Sequence, residues 1–331
     1  MRDLYLTVSK ELSKVDFDSI WPGFRPYPFA LVSGELVYLA DKEISVSERP
    51  MWANTVIEFE SGLLATWCLD SENGEIDAQV LAGNLVHEMF HAFQNEQGES
   101  RWANEFALMA YPDNLDAYRI KSAELRMLTL AYRNRDANAF ASFTSLRQAR
   151  RGLLGDIILQ EYAAETFEGM AEYAGLSALA QLSQEKFDTS LNKWLNVLEN
   201  PGEHFFNVRR MAYPTGAIIC LTAKKLGINI THSLNETQPL FELLSSPDKI
   251  APCFDAHFAA KKARFDEFLA AHNNVIEKNA LICGFDPMNM WRLNDQVLCN
   301  HFVMLDDEHI NGPVLLNMAP GSERQVVSII K

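Results

Sequence analysis

The sequence lacks the marks of several large protein classes. No apolar run approaches the ~18–20 residues of a membrane-spanning helix. The stretch from Met1 to Phe17 has no apolar core followed by a small-residue cleavage site, so no signal peptide is expected. Cysteines are few and odd in number: Cys68, Cys220, Cys253, Cys283 and Cys299. They form no CxxC pair and no Cys/His metal spacing. Reduced thiols, buried in apolar surroundings of a cytoplasmic protein, are expected instead. Basic residues are the minority: 29 Lys and Arg against 44 Asp and Glu give a net charge of −15. Such a surface repels phosphate backbones and anionic lipid, which argues against nucleic-acid and membrane partners. No internal repeat, low-complexity tract, nucleophile elbow or phosphate-cradling loop is found. The composition is 48% hydrophobic and 22% charged over 331 residues, which is globular and long enough for two or three units or one large two-lobed unit.

Three regions follow from the hydrophobic period. Residues 1–75 read as β-rich. Phe29–Ala40 and Thr55–Asp70 each carry two apolar runs around a Ser-Gly turn, Ser33-Gly34 and Ser61-Gly62, and Pro50 is one of several prolines between runs. Residues 76–280 read as helical. Leu81, Leu85, Val86, Met89, Phe90 and Phe93 recur at helical spacing before a stop at Gly98. Further helices are expected near 101–111, 115–133, 136–152, 157–181, 184–198, 214–226, 236–245 and 254–279. Residues 281–331 return to short strands. The basic stretch Arg147–Arg151 reads as a solvated face or an ion-pair site.

The chemistry concentrates in His87-Glu88-Met89-Phe90-His91, an HExxH. On a helix, positions i and i+4 share a face, so both imidazoles can reach one tetrahedral Zn²⁺. Glu88 points about 100° away, beside the water that such an ion binds, where a general base is needed. A third protein ligand is still required. Helix 157–181 carries Glu161, Glu165, Glu168 and Glu172 as one acidic stripe with no Lys or Arg between Arg151 and Lys186. Such a stripe is either a solvated face or a repulsive one that a dication relieves.

Glu168-Gly169-Met170-Ala171-Glu172-Tyr173 resembles the E-G-x-A segment of gluzincin metallopeptidases, especially their alanyl-aminopeptidase branch. The resemblance implies that Glu168 is the third zinc ligand. It also implies that Glu172, four positions on, is the acidic partner of a zinc-binding histidine; Glu165 competes for either role. Tyr213-Pro214-Thr215-Gly216-Ala217 resembles the Y-x-K-G-A segment of the same branch, where the tyrosine stabilises the oxyanion. Thr215 stands where that branch has Lys. Pro214 suits a helix start, which would set Tyr213 at a positive helix end. His204 is a further candidate donor. No G-x-M-E-N segment, the anchor for a free amino terminus, precedes the HExxH. The stretch from His91 to Glu168 is much longer than in that branch, so the helices within 101–152 would form an insertion over the cleft.

The resemblance implies an α+β fold with a gluzincin, thermolysin-like core: a small N-terminal sheet, a large helical lobe and a small C-terminal β unit. Gly62–Trp67 is the expected substrate-pairing strand. The expected activity is zinc-dependent hydrolysis of a peptide or protein substrate, with Glu88 as base and Tyr213 as oxyanion donor. Two alternatives stand beside it: a zinc hydrolase of a non-peptide substrate, and a non-catalytic binding protein on the same scaffold.

Overall fold

A computed structural model of the protein describes residues 1–48, 53–60, 62–71, 74–231, 234–240, 254–306 and 308–331. Pro50, Ser61, His232, Cys253 and residues 241–245 of the expected helix 236–245 lie outside the described residues.

The chain opens on a helix, not a strand. α1 (Arg2–Leu12) turns Tyr5, Val8 and Leu12 inward at three- and four-residue spacing. A single turn, α2 (Phe17–Ile20), follows; the Asp16 carboxylate caps it by accepting from the Ser19 N–H. The expected β-rich character begins only at Phe29. β1 (Phe29–Ser33), β2 (Leu36–Tyr38), β3 (Glu43–Ser45), β4 (Thr55–Phe59) and β5 (Gly62–Cys68) form one sheet in the order β3-β2-β1-β5-β4. Both expected hairpins are present, as β1–β2 and β4–β5, and β1 pairs with β5 in parallel. This corrects the assignment of Gly62–Trp67 as a substrate-pairing edge. That segment is β5, bonded on both sides, and among the described residues the outer strand on that side of the sheet is β4.

The middle of the chain is helical: α3 (Ala78–Glu96), α4 (Glu105–Met109), α5 (Leu115–Asn134), α6 (Ala137–Leu154), α7 (Ile158–Leu182), α8 (Gln184–Glu199), α9 (Val208–Lys225) and α10 (Phe254–Ala271). Residues 275–279, expected to continue the last helix, begin a strand instead. β6 (Val275–Phe285), β7 (Met290–Leu293), β8 (Gln296–Cys299), β9 (Phe302–Leu305), β10 (Glu308–Asn311), β11 (Val314–Met318) and β12 (Gln325–Ile330) form an antiparallel sheet. Val275 and Ile276 pair with Ile330 and Ile329 there, and β-branched residues suit a pleated sheet better than a helix end. The fold is therefore mixed α+β.

One hydrophobic core runs from Tyr5 through β1, α3, α5, α7, α8 and α9 to Leu240, so α1, one face of the first sheet and the helices share it, while Ala30, Val32, Val37, Leu39 and Leu64 form a separate cluster in that sheet. The last sheet has its own core around Ile282, Val297, Leu305, Val314 and Val326, against which Phe106 and Met109 of α4 pack. No helix among the described residues is long and apolar enough to cross a membrane. Cys68, Cys220, Cys283 and Cys299 are free thiols; only Cys220 and Cys299 are buried, so the expectation of uniformly buried cysteines fails at Cys68 and Cys283.

α7 is the central helix. It crosses α9 where Gly169 meets Gly216: a Cβ on Gly169 would stand 2.3 Å from the Gly216 Cα, and one on Gly216 would stand 2.1 Å from the Glu165 carbonyl oxygen. It crosses α3 where a Cβ on Gly175 would lie 2.7 Å from the Gly83 carbonyl oxygen. Backbone has nowhere to yield at these crossings. Gly216→Ala should therefore destabilise by about 3 kcal/mol, the upper end of overpacking effects. Gly152 on α6 is the control, because nothing lies within 4 Å of an added Cβ. Gly152→Ala should stabilise by about 0.4–1 kcal/mol. Urea midpoints of the two variants that move together would refute the close-approach argument.

Candidate metal centre

α3 starts at an Asp77 cap, whose carboxylate accepts from the Gln79 and Val80 N–H groups, and runs under the first sheet. Its apolar faces bury Leu85, Val86, Met89 and Phe90, and this sinks the intervening His87, Glu88 and His91 with them. α7 crosses at the glycine contact and presents Glu168. The two imidazole Nε2 atoms lie 3.1 Å apart. Glu168 Oε2 lies 3.4 Å from His87 Nε2 and 3.3 Å from His91 Nε2. An ion bound tetrahedrally at about 2.0–2.1 Å sets its ligand atoms roughly 3.3 Å apart. The triangle therefore has the dimensions of a metal site. Glu168 Oε2 is buried and lacks any hydrogen-bond partner, which a metal ion would satisfy. Among the described residues, His87, His91 and Glu168 are the group whose side chains converge in this way.

Each of the three side chains is held from behind. His87 Nδ1 meets Glu172 Oε2 at 3.1 Å, and the other Glu172 oxygen accepts from Trp194 Nε1 at 2.7 Å. His91 Nδ1 meets Gln94 Oε1 at 2.8 Å, and Gln94 Nε2 donates to the Phe167 carbonyl at 3.1 Å. These contacts fix both rings so that Nε2 faces inward. Arg209 donates to Glu168 Oε1 at 2.5 Å and to Glu105 at 2.9 Å. Burial alone lowers the His87 pKa, but the nearby Glu168 and Glu172 carboxylates outweigh this and push it up to about 10. Burial opposes ionisation of Glu168, yet His91 and Arg209 hold its carboxyl well below the usual range. The pocket is thus built for positive charge. Glu88 is raised above the ordinary carboxylate range, chiefly by burial and against the pull of the two histidines.

Glu165 is not part of this group, which corrects its assignment as a competing ligand or histidine partner. One turn before Glu168, its carboxylate pairs with Arg147 from α6, with one contact at 2.7 Å. Glu161 pairs with Arg150 at 2.6 Å and Lys121 at 2.8 Å, and Arg150 also binds Glu124 at 2.7 Å. The acidic stripe is therefore no solvated face. Its first two members are neutralised by cations from α5 and α6, and only Glu168 and Glu172 turn to the histidines. Arg147 and Arg150 are correspondingly buried, not solvated. Nor do α5 and α6 cover the cleft. From the expected insertion, only Trp102, Ala103 and Glu105 line it.

The cleft over the triad is about 340 Å³ and is walled by Asn54, Thr55 and Val56 at β4, and by Trp102, Phe167, Arg209 and Tyr213. Tyr213 stacks on His87 with ring centroids 5.7 Å apart at 16°. It does not sit at a helix start. α9 begins at Val208, capped by the Asn207 side chain, and Pro214 lies inside the helix, so the argument from a positive helix end does not apply. His204 is exposed and does not line the cleft. Arg209, Gln94, Glu105 and Trp102 escaped the sequence reading. Only two left a trace: Arg209 lies four residues before Tyr213, and Gln94 three after His91, one helical turn in each case. No family model, curated protein or solved structure matches the chain.

Proposed function

We propose that the protein is a zinc-dependent peptidase of gluzincin type. One observation carries the reading: two fixed imidazole Nε2 atoms and a partnerless carboxylate oxygen converge at metal-site spacing, with Glu88 in the same cleft. The order of the three sequence motifs supports it. The imidazole and carboxylate donors suit several first-row ions, and the tetrahedral spacing favours zinc among them.

His87, His91 and Glu168 would hold the ion, which would acidify a water and polarise a carbonyl. Glu88 is the proton acceptor in the cleft and the donor to the leaving nitrogen. Tyr213 donates its hydroxyl where negative charge develops. Glu172 and Gln94 keep the two imidazoles in the ligating tautomer. Thr55 and Val56 of β4, an outer strand of the sheet among the described residues, line the cleft wall along which an extended peptide would lie.

Elemental analysis should find near one zinc per chain. Glu168→Ala should lose most of it, while Glu165→Ala, which breaks only the Arg147 pair, should keep it. The reverse pattern would overturn the ligand assignment. The absence of a G-x-M-E-N segment bears on substrate register. Peptides with blocked amino termini should be cut about as fast as free ones. Strict dependence on a free α-amino group would instead implicate other acidic residues, with Glu58 and Glu60 on the hairpin as the ones to test.

A further inference from the structure

Among the described residues, most large apolar side chains that reach solvent do not line the cleft. Among the described residues, Trp102 is the large hydrophobic residue that is both half exposed, at 51%, and part of the cleft wall. Exposing so much indole is unfavourable unless something covers it in use.

Trp102 is also held in place. Its Nε1–H donates to the Glu99 carbonyl at 2.9 Å. The Glu99 side chain is buried and accepts from the Arg101 backbone at 2.9 Å and from the Asn235 N–H at 3.2 Å. The Glu99 N–H in turn donates to the carbonyl of Gln94, whose side chain orients His91. The platform and the candidate ligand are thus built on the same residue. The indole leans on Phe167, with centroids 4.0 Å apart at 37°, and Phe167 stacks on His91 at 4.4 Å and 10°. Two ring contacts therefore connect the exposed indole to a ligand histidine. An extended peptide advances about 3.3–3.4 Å per residue, so a side chain within one or two positions of the reacting carbonyl reaches the indole. Ala103 and Ala164, small and apolar, line the cleft next to it and leave room.

Resting on the peptidase reading, we propose that Trp102 is a specificity platform that selects peptides with an aromatic or large aliphatic side chain beside the scissile bond. A pre-positioned indole binds such a side chain with little ordering cost, and stacking adds to the area it covers. A Gly or Ala at that position leaves the indole exposed and gains nothing from it.

The test compares blocked peptides that differ only in having Phe, Leu or Ala at successive positions around one cleavage site. Wild-type protein should favour Phe and Leu over Ala at one position by roughly ten- to hundredfold in kcat/KM. Trp102→Ala should erase that preference, lowering kcat/KM for the Phe and Leu peptides roughly ten- to hundredfold towards that of the Ala peptide. Trp102→Phe should restore most of the preference, which a merely structural role would not predict. Affinities for the same peptides on Glu88→Gln should show the same ranking and the same loss. Cleavage with equal preference in wild type and Trp102→Ala would overturn this inference alone. Absence of both cleavage and binding for every peptide would overturn the peptidase reading and this inference with it.

Discussion

Glu88→Gln should keep its zinc and lose hydrolysis by about 10²–10⁴-fold, the range that one general base supplies. The two side chains have nearly the same shape, and the site is buried, so packing around Met89 and Phe90 should persist. Burial already disfavours the Glu88 carboxylate, and Glu168 and Glu172 add repulsion. An uncharged amide there should not weaken the fold. What disappears is the ability to accept a proton within reach of the cleft. Glu88 is not among the converging ligand atoms, so metal content separates its role from theirs. Undiminished turnover with full zinc would remove Glu88 from the mechanism. Loss of zinc together with activity would show that it ligates.

The parts of the site that were legible are local ones. The apolar period and the Gly98 stop define α3 within some twenty residues, and the i,i+4 histidines read directly as one face. The glycines in the two later motifs carried meaning that sequence could not display. Gly169 and Gly216 touch, and that contact lets α7 and α9 bring Glu168, Arg209 and Tyr213 to a single wall. What stayed hidden depends on distant pairs. Arg147 and Lys121 neutralise an acidic stripe on another helix, and no period in either segment announces it.

The errors in the fold have similar causes. α1 buries only Tyr5, Val8 and Leu12 among polar neighbours, so its periodicity is sparse beside the stronger apolar runs that follow. The start of α9 was misplaced because proline favours the first turn of a helix. Here Asn207 caps the helix six residues earlier, and Pro214 sits in the interior at the loss of one backbone hydrogen bond. Residues 275–279 follow a helix without a glycine or proline break, and their strand state comes from pairing with the far end of the chain.

Tyr213→Phe tests the least local part of the mechanism. The ring packs against His87, and the Arg209 guanidinium lies 5.1 Å from its centre, so the phenyl of the variant keeps these contacts. Zinc content and stability should hardly change. Burial raises the phenol pKa well above 10, and the charge of Glu168 adds to it, so the hydroxyl stays protonated and remains a donor. A donor aimed at an oxygen that gains negative charge binds the transition state more strongly than the substrate. Its loss should therefore appear in kcat more than in KM. The expected fall in kcat is about 10²–10³-fold, as for removal of one oxyanion donor. A kcat within a few-fold of wild type would make Tyr213 a packing residue for His87. The role would then pass to Arg209, which lines the same cleft with one buried Nη1 lacking a hydrogen-bond partner, and not to the exposed His204. Arg209→Lys distinguishes the two cases. It shortens the reach to Glu168 and Glu105 and should cost zinc affinity if Arg209 only positions Glu168, but kcat at saturating zinc if Arg209 is itself the donor.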